Sequence, residues 1–146
     1  MIHPQVQLQP SPFDPLASLA AWAGHSLGIA AAEAHFIGRV RPTTASGEPL
    51  EALELEHYPG MTEGQLERLA TACGHRHGVE ALLVEHRIGR VLPGEAIVLV
   101  AVAADRRGPA QRCCQELLEA LKHEAPFWKR EWSGGQGTWI TGNTPL

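Results

Sequence analysis

Lysine is almost missing from this chain: of twelve basic residues only Lys122 and Lys129 carry a side-chain primary amine, and the other ten are arginine. Cysteine is scarce and odd in number, with Cys113 and Cys114 adjacent and Cys73 apart. That pattern does not suit a disulfide framework and favours reduced thiols. No apolar run approaches the roughly 20 residues needed to span a bilayer, and Met1 to Pro15 carries no basic stretch followed by an apolar one. The expectation is a soluble cytoplasmic protein with no membrane association. Positive charge is also in deficit, twelve basic against sixteen acidic residues for a net charge of −4, which excludes capture of nucleic acid by bulk charge. Any anion site has to be local.

Apolar residues make up 44% of the 146 and charged residues 19%, enough to bury a core and about the size of one domain, taken here as residues 1–146. Val6 and Leu8, set among Pro and Gln, predict a terminal edge strand. Leu16, Leu19, Ala20 and Trp22 recur at helical spacing, with Gly24 as the stop. Residues 31–40 read as a strand with Ala32, Ala34, Phe36 and Gly38 on one face. Residues 42–49 hold Thr43, Thr44, Ser46 and Gly47 and predict a mobile loop able to act as a lid. Leu53, Leu55 and His57 alternate with Glu54, Glu56 and Tyr58 as in a half-buried strand. Thr62 is placed as the cap of a helix carrying Leu66, Leu69, Ala70 and Cys73, closed by Gly78. Residues 79–88 and 96–104 predict a hairpin turning at Pro93-Gly94. The strongest helical stripe is Ala110, Cys113, Cys114, Leu117, Leu118 and Leu121, opened at Gly108-Pro109 and ended by Pro126. The Gly-rich tail, residues 132–146, is taken as variable, with Trp139 and Ile140 as one short strand. Helices separated by hairpin-like strands point to an α+β domain with an antiparallel sheet and packed helices.

Several cationic residues fall where elements end. Arg39 and Arg41 flank Val40 at a strand terminus, and Arg106-Arg107 precede Gly108-Pro109 at a helix start, where free backbone N–H groups and planar guanidinium forks suit a phosphate. Lys122 lies beside the buried stripe, so its stem can rest on apolar surface while its amine reaches a cleft. Burial and nearby arginines would disfavour the charged amine, making it a nucleophile or proton carrier. Lys129 follows Pro126-Phe127-Trp128, a turn and two aromatics able to wedge the segment against the core. The run Cys73-Gly74-His75-Arg76-His77 is weighed as a metal site and set aside, because ligands at alternate positions near a helix end diverge and no second Cys/His cluster completes a tetrahedron. His57 and His86 sit on strands, where hydrogen bonding in the core or an interface is the commoner role. Hydrolase and nucleotide-binding templates are missing.

The strings LELEHYPGMTE from Leu53, EHRIGRVLPGE from Glu85 and LKHEAPFWKRE from Leu121 resemble the large, catalytic subunit of molybdopterin synthase, the MoaE family. The resemblance runs from about Phe13 to Glu131. It implies an α/β hammerhead fold and a central homodimer with a small ubiquitin-like sulfur carrier docked at each end, a heterotetramer. It further implies conversion of cyclic pyranopterin monophosphate into molybdopterin by insertion of two dithiolene sulfurs, with no permanently bound cofactor or metal because sulfur arrives on the carrier's C-terminal thiocarboxylate. The family's substrate-contacting runs match Arg39-Val40-Arg41, Arg106-Arg107, Lys122 and Lys129-Arg130-Glu131. Lys122 and Lys129 are then the catalytic candidates and Phe36 a candidate pterin contact. Many relatives carry His-Arg where this chain has Arg106-Arg107, which removes a titratable base from that position. The alternative is a non-catalytic paralogue that docks a carrier tail and binds an anion.

Overall fold

The protein is described here from a computed structural model covering residues 3–26 and 30–140. Val6 and Leu8 alternate with glutamines as β1 (Gln5–Gln9), an edge strand that runs parallel to β4 (Ala81–Arg87). β4 pairs antiparallel with β6 (Ala96–Ala104), and β6 with β2 (Ala32–Arg39), so the first sheet has the order β1-β4-β6-β2. Its central strands are almost wholly buried, as the unbroken apolar run from Ala96 to Ala104 requires of a strand covered on both faces.

One face is covered by α1 (Pro15–Ser26) through Trp22, which packs on Leu83, Leu99, Ala101 and Ala103. The other is covered by α2 (Met61–His77) and α3 (Arg107–Glu124), whose stripes Leu66-Ala70-Cys73 and Ala110-Cys113-Leu117-Leu121 close on Val84, Val100 and Val102. Cys113 and Cys114 are core residues. A second sheet, β5-β3-β7-β8, is formed by β3 (Ala52–His57), β5 (Gly89–Val91), β7 (Phe127–Ser133) and β8 (Gln136–Ile140). Val40, Leu50, Leu55 and Val91 make its core, and Phe127 packs against both this cluster and the main one. The architecture is α+β, as the mixed pattern predicts.

Four local expectations change. Gly24 does not stop the first helix, which continues to Ser26. Thr62 is not the cap of α2: Gly60 holds that place at φ 82°, a conformation that favours glycine, and Glu63 accepts its N–H at 3.0 Å. The β4–β6 pair forms as a hairpin would, but Gly89–Val91 leaves it to pair with β3. Phe127 to Ser133, not recognised as a strand, is β7, because its pairing partner β3 lies seventy residues away and is invisible to local patterning. The end of α2 is as predicted, with Gly78 left-handed at φ 63°. Residues 42–49 form a closed turn: Thr43 bridges Pro49, Gly47 N–H donates to the Thr44 carbonyl, and Ala45 N–H donates to the Glu131 carboxylate. The short strand at Trp139 and Ile140 is present as part of β8, while residues 141–146 of the tail lie outside the described residues.

Candidate active site

Pro126 ends α3 and turns the chain directly into β7, so seven residues separate Lys122, in the last helical turn, from Lys129, in mid-strand. Thr62 fixes that turn. Buried at the start of α2, its hydroxyl accepts the Tyr58 N–H at 2.9 Å and donates to the Pro126 carbonyl at 3.2 Å, tying the ends of β3, α2 and α3 together. On β7 the side chains alternate, so Phe127, Lys129 and Glu131 share one face and Trp128, Arg130 and Trp132 the other. Lys129 stands opposite the buried Leu55, and Phe127 stacks on His86 of β4 with ring centroids 4.1 Å apart and planes at 16°.

Both amines reach the same surroundings. Burial, and then the charge of Lys122, hold the Lys129 amine below the ordinary lysine range. His86 is buried, donates Nδ1–H to the Arg87 carbonyl at 2.8 Å, and is pushed down to about 4 by burial first and then by the charges of Lys129 and Lys122. It is a neutral imidazole near pH 7, with Nε2 left as the acceptor nitrogen. The Lys129 amine is thus desolvated and destabilised, and the charge that disfavours it is the other lysine. The chemistry available is that of an ammonium pair, in which Lys129 gives up its proton more easily than an ordinary lysine does.

Arg39 ends β2 at this same end of the sheet. It pairs with Ala96, donates Nη1–H to the Gly94 carbonyl at 3.3 Å, and leads into Val40, which is buried against Leu55 and so close to the strand that carries Lys129. Arg41 follows in an exposed position. Glu131 anchors the 42–49 turn through Ala45. Arg130 faces away: its guanidinium donates to Glu54 at 2.5 and 2.9 Å and lies over the rings of Trp132 and Trp139, 4.8 and 4.6 Å from their centroids. Its fork is engaged in holding the β3–β7–β8 sheet together.

Arg106 and Arg107 are elsewhere. They line a cavity of about 770 Å³ at the start of α3, together with Ala32, Asp105, Gly108 and Arg112. Arg106 is the N-cap of α3 and makes no side-chain cap, so first-turn N–H groups stay open to an anion. Arg112, which the sequence reading overlooked, lays its guanidinium over Gly108; its position one turn after a Gly-Pro helix start was the available signal. Fifteen residues of helix, roughly 22 Å, separate Arg107 from Lys122. Phe36, part exposed in the middle of β2, lies between these two ends on the face shared with α3. The predicted residues are therefore divided: Lys122, Lys129, Arg39 and Val40 gather at one end of the molecule, and Arg106 and Arg107 at the other.

Residues 8–124 match the family model described as MoaE protein. The chain belongs to the MoaE family. It is 41% identical over 137 residues to the molybdopterin synthase catalytic subunit of Ralstonia nicotianae, covering 94% of this chain and 77% of that one. The molybdopterin biosynthesis MoaE protein of Burkholderia ambifaria superposes with a TM-score of 0.79 at 39% identity, over 94% of this chain and 88% of that one. Subunits 1 and 2 of molybdopterin-converting factor from Helicobacter pylori form a protein–protein complex in which a chain 21% identical shares the fold, with a TM-score of 0.77 over 92% of this chain and 88% of that one. The hammerhead-type α+β fold implied by the resemblance is the fold of this MoaE chain.

Proposed function

We propose that this MoaE chain is the catalytic subunit of a cytoplasmic molybdopterin synthase. It converts cyclic pyranopterin monophosphate to molybdopterin, taking two dithiolene sulfurs from the C-terminal thiocarboxylate of a small ubiquitin-like carrier. The observation that carries the reading is the convergence of the chain's only two lysines on a neutral, buried histidine, in a chain 41% identical to a molybdopterin synthase catalytic subunit. In each transfer the thiocarboxylate sulfur bonds to a carbon of the pterin side chain as a carbon–oxygen bond of that carbon breaks, its oxygen leaving on the phosphate or as water. The carrier's acyl–sulfur bond is then broken by water, leaving a carboxylate. Anionic species are present at both stages, and preorganised cations in a partly dry site stabilise them far better than water does.

Lys122, at the end of α3, meets the thiocarboxylate and manages proton transfer. Lys129, partly desolvated, holds the substrate. Arg39 and Arg41 add positive charge at the strand end, and Arg106 and Arg107 bind the phosphate. No resident cofactor is needed, because the sulfur arrives on the carrier. The 22 Å between the two cationic groups requires that a single substrate meet them from two chains, with one protomer supplying the lysines and its partner the α3 N-terminus. A homodimer with a carrier at each end, a heterotetramer, satisfies that requirement.

The test is conversion of precursor by purified protein with thiocarboxylated carrier, read as dithiolene product. Lys122→Ala lowers turnover by about 10²-fold or more, the usual scale for a lost proton-transfer group, while dimerisation and carrier binding persist. Lys129→Ala acts mainly on precursor affinity. Near-normal turnover in Lys122→Ala would remove its assigned role.

A further inference from the structure

Where α2 packs on α3, three potential metal ligands converge, and a fourth, Cys113, lies beside one of them. Cys73 and His77, four residues apart, share one face of α2, and Cys113 and Glu116, three apart, share one face of α3. The donor atoms of Cys73, His77 and Glu116 all lie within 4.8 Å of one another. The Cys73 and Cys113 sulfurs are 3.6 Å apart, against roughly 3.8 Å for two thiolates on one tetrahedral zinc ion. His77 Nε2 makes a close contact with Glu116 Oε2, where a cation can replace the shared proton. The other oxygen, Oε1, is held by Arg76 at 2.5 Å, an outer partner of the kind that orients a ligating carboxylate.

We propose that Cys73, His77, Cys113 and Glu116 form a zinc site that staples α2 to α3. Two soft sulfurs, an imidazole and one carboxylate oxygen match the ligand preferences of Zn²⁺ and not those of the hard cations, which take oxygen alone. The sulfurs are buried on the core side, while His77 and Glu116 lie toward solvent and give the ion a way in. Binding requires the Cys113 sulfur, which stands outside the mutually close trio, to turn toward it, and a small outward shift of the half-exposed Glu116, since an imidazole nitrogen and a carboxylate oxygen on one zinc stand roughly 3.3 Å apart. The two thiol protons pass to solvent as the ion enters. Cys114, whose sulfur faces the Val100 carbonyl, is outside the set. The site is independent of the sulfur-transfer reading and holds two helices, without touching substrate.

The experiment uses the full-length, tag-free, reduced protein, titrated with Co²⁺ and then with Zn²⁺. One Co²⁺ per chain should produce a thiolate-to-metal charge-transfer band, which one equivalent of Zn²⁺ abolishes. His77→Gln and Glu116→Gln, both near the surface and compatible with folding, should each weaken binding more than tenfold, and Cys73→Ser should lower the intensity of the band by about half or more. Cys114→Ala should leave it unchanged. Zinc at a hundredfold excess over its Kd should raise the melting temperature by at least about 5 °C. Absence of the band in the parent protein, or undiminished affinity in both His77→Gln and Glu116→Gln, overturns the proposal.

Discussion

His86 shows how a residue with an ordinary structural role comes to define a site. Its Nδ1–H is used up by the Arg87 carbonyl, its ring is stacked on Phe127, and two ammonium groups act on it. With a folded value of about 4 against 6.5 for the free side chain, the unfolded chain binds the extra proton between those values. Folding stability therefore falls as pH drops through that window and is fully present above 6.5, the maximum loss being roughly 3 kcal/mol. Urea denaturation at pH 7 and pH 4.5 should show this loss in the parent protein and a smaller one in His86→Gln. An equal pH dependence in the two would show that another group carries it. The sequence reading of His86 as a hydrogen-bonded strand residue was sound. What it lacked was the identity of the neighbours, because Phe127 and the two lysines are more than thirty-five residues away along the chain.

At the scale of elements, the turn from α3 into β7 decides where both amines sit, and Thr62 is its fastening. The Thr62→Val substitution keeps shape but leaves the Tyr58 N–H and the Pro126 carbonyl without their partner in a part-buried place. It should cost about 1–3 kcal/mol in denaturant titration and lower turnover through the displaced lysines, with carrier binding retained. Element types were largely legible here: helical stripes, the Gly78 stop and the buried β6 run follow from periodicity and glycine chemistry. β7 was not legible, since its alternation of aromatic and charged residues acquires meaning only against β3, where Lys129 meets Leu55 and Arg130 meets Glu54. The same limit applies to the cysteine–histidine run. Weighed at alternate positions, Cys73, His75 and His77 diverge; the fold instead pairs residues four apart and adds Cys113 and Glu116 from a second helix.

For the whole molecule, the length of α3 is the governing quantity. Because that helix holds Arg107 and Lys122 at its two ends, activity by the proposed route is a property of two chains. Mixing Lys122→Ala with Arg107→Ala protomers should restore up to about a quarter of parental specific activity, since half of the randomly paired dimers are mixed and each of those keeps one intact site. No recovery in verified mixed dimers, or full activity of Arg107→Ala alone, would show that one chain suffices. Among the described residues no helix is long and apolar enough to cross a membrane.

The sequence by itself determined the α+β class, most helices and strands, the family, and the residue types able to meet a phosphate and an acyl–sulfur group. These depend on local spacing and on strings of neighbouring residues. Only the tertiary structure decided that Lys129 is desolvated, that Arg130 is spent on Glu54 and its tryptophans, and that the guanidinium and amine groups stand a helix length apart. Desolvation, pairing and separation are relations between residues distant along the chain, and they take their values from packing.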